Sequence, residues 1–411
     1  MSDAAVRAQI RHAHGKFAAM AVSYSLGVFN DNFFKQAAML LAVGAGLARF
    51  QGHMLLLFTV PYILFSAPCG WLADRFPKRS IVIAAKALEV AAMICGAVGM
   101  VTGSWPLILA MVSTMGLQSA IFGPSLNGSI PELYPASYVT TANGILKVFV
   151  TVAILLGVAV AGFLLDWQGR AAVAGAALTV AVLGFLASFG VPRRPGAASG
   201  AKFPWTGPID SVRELLRMRT DRLLITTIAA DMFIWFVGSL LIPIVNVLGK
   251  TQLGLSDSAT SGLLVAELSG IAVGGLLSAR LASGRRWYRV LVPAALALAA
   301  ILGCVPGAVC LPVGVRYWFL LAALGGAGVA GGLFMIPCES FIQVRPAADR
   351  KGAVIAASNF VIFIGIALSG PIANALNARL QPSVSFAVVA GFALVVAVVL
   401  AAALWKGPSD D

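Results

Sequence analysis

Charge is what this sequence has least of. Of its 411 residues 11% are charged and 59% are hydrophobic, whereas a soluble domain carries about 25% charged residues. So few polar side chains cannot cover a water-facing surface. A soluble globular fold is excluded, and many membrane spans are expected. The apolar runs are about 20 residues long and do not alternate, which argues for helices over a β-barrel. Histidine is scarce: His12, His14 and His53 lie near the ends of spans. Cys69, Cys95, Cys304, Cys310 and Cys338 lie in or beside apolar stretches without metal-ligand spacing. They read as small buried hydrophobes. No disulfide is expected, even between Cys304 and Cys310 near one end of a span. The chain contains no Gly-x-x-x-x-Gly-Lys-Ser/Thr, no His-Glu-x-x-His and no Gly-x-Ser-x-Gly. Nucleotide hydrolysis and intramembrane enzyme chemistry therefore have little to work with, and neither cofactor nor metal is expected. Residues Met1 to Lys16 are basic and polar and lack an Ala-x-Ala pattern, so no cleaved leader is expected.

What the chain does have is twelve apolar stretches. They fall roughly at 19–45, 52–73, 80–101, 105–127, 140–164, 171–190, 222–247, 261–281, 288–310, 316–339, 352–375 and 383–405. A tight charged turn, Asp74-Arg-Phe-Pro-Lys-Arg79, separates the second from the third. A short loop over residues 130–137 follows the fourth. The one long polar stretch, Pro192 to Asp221, is expected to hold a short amphipathic helix at Ile209–Met218. The expected organisation is a six-helix bundle over 1–191, a linker over 192–221 and a second six-helix bundle over 222–411. Two such halves suit alternating access, the general mechanism of secondary transporters.

The basic residues set an orientation. With the N-terminus in the cytoplasm, 21 of the 29 lysines and arginines fall in cytoplasmic segments. Arg49, Arg170, Lys250, Arg316 and Arg379 fall outside, and Lys35, Lys86 and Lys147 fall within spans. This bias predicts both ends inside. It accounts for the net charge of +13 without nucleic acid, and it brings basic patches to anionic lipid headgroups.

Polar residues inside hydrocarbon are costly and mark functional candidates. The first span carries Asn30, Asp31, Asn32 and Lys35. Asp31 and Lys35 are one helical turn apart and could pair. The third carries Lys86 and Glu89 on one face, read as a structural or gating pair, with Lys86 snorkelling to the cytoplasmic end. The fifth carries Asn143, Gly144 and Lys147, with Lys147 a candidate cavity cation and Asn143–Gly144 equally readable as packing contacts. The second half carries Asp231, followed one turn later by Trp235, then Glu267, Glu339 beyond a bend expected at Pro337, and Asn359. Spread over different spans, these fit a central cavity, and Asp231, Glu267 or Glu339 could carry a proton.

The segment Gly70-Trp-Leu-Ala-Asp74-Arg75-Phe-Pro-Lys78-Arg79 resembles the signature of the major facilitator superfamily. It reads as a latch in which Gly70 permits close helix contact and Asp74 caps the third span and pairs with an arginine. The second half has bases at 280–286 but no matching acid. Asn30-Asp-Asn-Phe-Phe-Lys-Gln36, Tyr62 to Arg75, Phe122-Gly-Pro124, Pro131-Glu-Leu133, Ala142-Asn-Gly144 and Ala153 to Gly157 resemble the bacterial lysophospholipid transporters. After the linker, Gly332 to Pro337 and Gln343 with Arg345 still match. That resemblance implies a major facilitator fold and movement of lysophosphatidylethanolamine-like lipids from the outer to the inner leaflet of the cytoplasmic membrane. It implies Asp31 and Asn32 as the acidic-amide pair of the headgroup cavity, with Lys35 or Lys147 suited to a phosphate. It implies an acyltransferase at the cytoplasmic face as a partner, while the fold itself works as a monomer. The chain departs from the family at Gly123-Pro-Ser-Leu126-Asn127-Gly128, where a lysine and a tyrosine are missing, and at Lys147, where glutamate is common. The alternative readings are an exporter of a hydrophobic drug or metal-chelating molecule in the same fold, and a non-transporting membrane partner.

Overall fold

In hydrocarbon a peptide group has no water to bond, so each crossing must satisfy its own backbone as a helix. The computed structural model, which describes residues 3–192, 203–282, 284, 286–347 and 350–404, shows that solution throughout. Arg193, Arg194, Lys202, Arg285 and Lys406 lie outside the described residues, as do the side chains of Arg7, His12 and Asn127. The first half contains α1 (Asp3–Gly44), α2 (Arg49–Arg75), α3 (Lys78–Thr102), α4 (Trp105–Leu133) and α5 (Ala136–Ser188). A short helix, α6 (Gly207–Met218), falls on the amphipathic segment expected at 209–218. Then come α7 (Arg222–Val247), α8 (Asp257–Leu281), α9 (Leu291–Ala308), α10 (Val313–Val344), α11 (Lys351–Arg379) and α12 (Pro382–Leu404).

Ten helical stretches among the described residues are long and apolar enough to cross a membrane. One of them belongs to α5, whose 53 residues would extend about 80 Å if straight, against a hydrocarbon core of about 30 Å. Gly169, at φ 74°, breaks it. Only glycine takes that conformation without strain, and the break divides α5 into the two crossings expected at 140–164 and 171–190. With α1, which spans 42 residues, the described residues form an all-α, multi-spanning membrane fold.

Two boundaries differ from the sequence reading. The helix of the first span begins at Asp3 rather than near 19. The loop expected at 130–137 shrinks to Tyr134 and Pro135, because α4 continues past Pro124 and Pro131 to Leu133. Leu126, Ile130 and Leu133 are buried there beside Phe17, Met20 and Tyr134. A transmembrane helix tolerates proline when packing holds the turn together. The five cysteines are free.

The fold divides into two compact units, Met1–Ala38 with Leu57–Gly207, and Met39–Leu56 with Pro208–Asp411. The second unit thus takes in the α1–α2 connection. There Asn246 of α7 donates to Gln51 at 3.0 Å, and a Cβ added to Gly52 would overlap the backbone of Gly370.

The tightest helix pair of the second unit, α8 with α10, is set by glycine. A Cβ on Gly270 would strike the carbonyl of Gly325, and one on Gly274 that of Val329. From the other side, Gly328 meets the carbonyl of Glu267 and Gly332 that of Ile271. Both helices carry glycine four residues apart, the spacing that lets two backbones touch in a membrane. Here the obstacle is backbone, which cannot swing aside. Gly328→Val is therefore expected to cost more than the 1–3 kcal/mol typical of overpacking and to lower the melting temperature of purified protein sharply. Gly238→Ala, whose Cβ meets open space, is expected to leave it unchanged. Equal melting of the two variants in a thermal scan in detergent would contradict this account of the α8–α10 contact.

Candidate functional site

In the first unit a polar cluster is built where α1, α3 and α4 meet. Glu89 of α3 is fully buried and accepts from three directions. Lys86, one turn earlier, reaches it at 2.7 Å. Asn30 of α1 donates at 3.3 Å and Gln118 of α4 at 3.4 Å. Lys86 also lies 5.3 Å from the centre of the Phe122 ring and packs against Gly27 and Gly184. It is 1% exposed, so the expectation that it snorkels is wrong: Glu89 and the aromatic face hold it inside.

Asp31 faces the next groove. Ser119 of α4 donates to its Oδ2 at 2.7 Å, and its Oδ1 is buried with no hydrogen-bond partner among the described residues. The pairing expected between Asp31 and Lys35 does not form. Lys35 is half-buried, with its ammonium 4.3 Å from the centre of the Phe58 ring. Asn32 bonds the carbonyl of Val28 on its own helix at 2.8 Å. Consecutive residues on a helix point about 100° apart; thus Asn30, Asp31 and Asn32 serve three different neighbours. On α5, Asn143, Gly144 and Lys147 are exposed. A Cβ on Gly144 would meet nothing within 4 Å, so it is not a packing contact.

The second unit holds a cavity of about 270 Å³ between α7, α10 and α11. Asp231 and Trp235 enter from α7, Glu339 from α10, and Ser358 and Asn359 from α11. Three acids and amides singled out in the sequence are thereby brought together. Glu267 is not among the lining residues; it is buried on α8 beside the glycine contact. Pro337 is buried inside α10, which continues through it.

The Major Facilitator Superfamily model matches residues 17–315. The chain belongs to the major facilitator superfamily. Among individual relatives it is 28% identical over 331 residues to the lysophospholipid transporter LplT of Enterobacter sp. (strain 638), covering 78% of each chain. To LplT of Yersinia pestis (strain Pestoides F) it is 27% identical over 299 residues, 70% of this chain and 68% of that one. Two solved structures share the fold. One is a POT family transporter in complex with 5-aminolevulinic acid, with a TM-score of 0.75 at 12% identity over 95% of this chain and 97% of that one. The other is a D-xylose-proton symporter, with a TM-score of 0.69 at 16% identity over 96% and 97%.

The major facilitator segment Gly70–Arg79 is arranged differently from the expected latch. A Cβ on Gly70 would meet open space; the close approach nearby is instead Gly207 against Ala67. Asp74 lies exposed on the last turn of α2. The cap position of α3 is Pro77, with no side-chain bond. What ties this end of the unit are the bases. Lys78 forms an ion pair with Glu132 at the end of α4, and Arg79 donates to the carbonyl of Phe189 beyond α5 at 2.8 Å. Arg75 stacks 5.2 Å from the centre of the Trp71 ring. Reading Asp74 as the acid of the motif overlooked Glu132, which is far in sequence and near in space. Gln118 and Ser119 were also missed, although two polar residues in the middle of an apolar span are a readable signal. In the second unit Arg345 meets Asp221 at 3.0 Å and Arg350 meets Glu214 of α6 at 2.6 Å.

Removing one partner of a buried ion pair strands the other charge, at a cost of about 3–5 kcal/mol. Lys86→Met is expected to destabilise the protein by that order. Adding Glu89→Gln to it is expected to recover most of the loss, since a neutral amide there can still bond Asn30 and Gln118. Thermal melting of the wild type, the single variant and the double variant in detergent checks this. A double variant no more stable than the single one would contradict the pairing as the reason these charges are retained.

Proposed function

We propose that this major facilitator protein is a lysophospholipid transporter of a bacterial cytoplasmic membrane. It moves lysophosphatidylethanolamine-like lipids from the outer to the inner leaflet by alternating access, with six-helix halves at 1–191 and 222–411 joined by the linker 192–221 and with both termini in the cytoplasm. The relatives at 27–28% identity named as lysophospholipid transporters support the substrate class. The basic residues of the cytoplasmic segments support the orientation. An acyltransferase at the cytoplasmic face would then consume the delivered lipid.

The observation that carries the reading is Asp31. A carboxylate in the middle of a span, one oxygen held by Ser119 and the other buried with no partner among the described residues, is expensive unless a ligand meets it during the cycle. Lys35, half-buried against a ring rather than locked to a carboxylate, supplies a cation for a phosphate. The buried Lys86–Glu89 pair, bonded also by Asn30 and Gln118, ties α3 to α1 and α4.

The test uses purified protein in liposomes with labelled lysophosphatidylethanolamine placed in one leaflet. Asp31→Asn keeps the shape and the Ser119 contact but removes the charge. A charged hydrogen bond is worth about 1.5–3 kcal/mol, so flipping is expected to slow by roughly ten- to a hundredfold while insertion is unchanged. Repeating the assay with and without a pH gradient tests coupling. Wild-type rates in Asp31→Asn would remove Asp31 from the site, and no flipping by the intact protein would favour the exporter reading.

A further inference from the structure

The second-unit cavity carries a feature that the Asp31 reading does not use. Asp231 is 1% exposed, and its Oδ1 has no hydrogen-bond partner among the described residues. The Oγ of Ser358, also 1% exposed and lining the same cavity, is likewise without one. Buried polar atoms are almost always bonded, and the exceptions call for a specific cause. Two residues with unmet bonding capacity on the walls of one cavity mark a place where a ligand can complete the bonding.

The lining defines the ligand's chemistry. Among the described residues it carries two carboxylates, Asp231 and Glu339, and no lysine or arginine. The carboxyl group of Asp231, at a wall that carries no base, is suited to a cation. A bare metal ion is a poor fit. Hard cations take a shell of six or more oxygens at short range, whereas here Trp235, Phe363 and four isoleucines make up much of the wall. The space of about 270 Å³ is also far larger than the roughly 30 Å³ share of one water. An aromatic face beside a carboxylate is the usual recognition of an organic ammonium, whose alkyl groups pack on apolar walls while its charge meets the ring and the acid. Gln343 and Asn359 add polar groups at the same walls.

We propose that this cavity binds an organic ammonium group, with Asp231 as counter-ion, Trp235 as the ring face and Ser358 as a further polar contact. For the identity of the natural amphiphile this rests on the lysophospholipid reading, whose amine headgroup would enter here; the ammonium site itself does not depend on it.

The experiment titrates full-length protein in lipid nanodiscs by calorimetry with three probes: hexyltrimethylammonium, lysophosphatidylethanolamine, and lysophosphatidylglycerol, which keeps phosphate and tail but has no amine. Wild type is expected to bind both ammonium probes. Asp231→Asn is expected to weaken each by roughly tenfold or more, the scale of one lost charged contact, with lysophosphatidylglycerol changed by less than about twofold. Trp235→Leu and Glu339→Gln give the same comparison should Asp231→Asn fail to fold. Hexyltrimethylammonium binding that depends on Asp231, with neither lysolipid bound, would keep the ammonium site and end the lysophospholipid reading. Lysolipid binding that is equal in wild type and in all three variants would keep that reading and end the ammonium site. Failure of wild type to bind either ammonium probe would also overturn the site.

Discussion

A charge placed in hydrocarbon must be neutralised where it stands, and Glu89 shows how much structure this demands. Its carboxylate engages Lys86 on its own helix, Asn30 on α1 and Gln118 on α4. Three helices of the first unit are thereby tied at one depth. Hydrophobic burial does little of this in a membrane, because lipid tails are as apolar as the side chains they would replace. Directional polar contacts and close backbone approach do it instead. The glycines of α8 and α10 are the second means, bringing two backbones of the second unit into contact.

The same requirement sorts the buried acids by role. Glu89 already accepts three hydrogen bonds, so a ligand would have to compete with those partners to reach it. Asp31 is half-satisfied, with Ser119 on one oxygen. Asp231 has an unmatched oxygen and a cavity beside it. Burial alone does not separate these residues, since all three are below a tenth exposed. The unmet hydrogen-bonding capacity does. It turns three residues that look alike in sequence into one structural hub and two binding candidates.

The spans were legible because their signal is local. Twenty apolar residues announce a crossing whatever lies elsewhere in the chain, and the amphipathic pattern of residues 209–218 likewise announced α6. Pairings were legible only where they were also local, as for Lys86 and Glu89 one turn apart. Asp31 and Lys35 had the same credentials and did not pair, because Ser119 and Phe58 come from other helices and compete for them. Asp74 was overvalued for a related reason. Its place in a motif says nothing of Glu132, which lies more than fifty residues away and receives Lys78 instead. Asp231, Glu339 and Asn359 were each visible as isolated polar residues, but their common cavity depends on how α7, α10 and α11 pack. The glycines at 270, 274, 328 and 332 were the opposite case. Their four-residue spacing was present in the sequence and simply outweighed by the more conspicuous charges.

A zwitterionic amphiphile asks a transporter for two opposite contacts that are strong enough to select and weak enough to release. Lys86 and Glu89 meet the first condition for each other and fail the second, since separating them strands a charge in the core. Lys35 on a phenyl face is held more loosely, a cation–π contact being worth about 0.5–2 kcal/mol. Such a contact can be exchanged for a ligand's charge and restored afterwards without stranding a paired carboxylate in the core. A single charge resting on a ring is therefore easier to exchange than the bonded pair that first draws attention in the sequence.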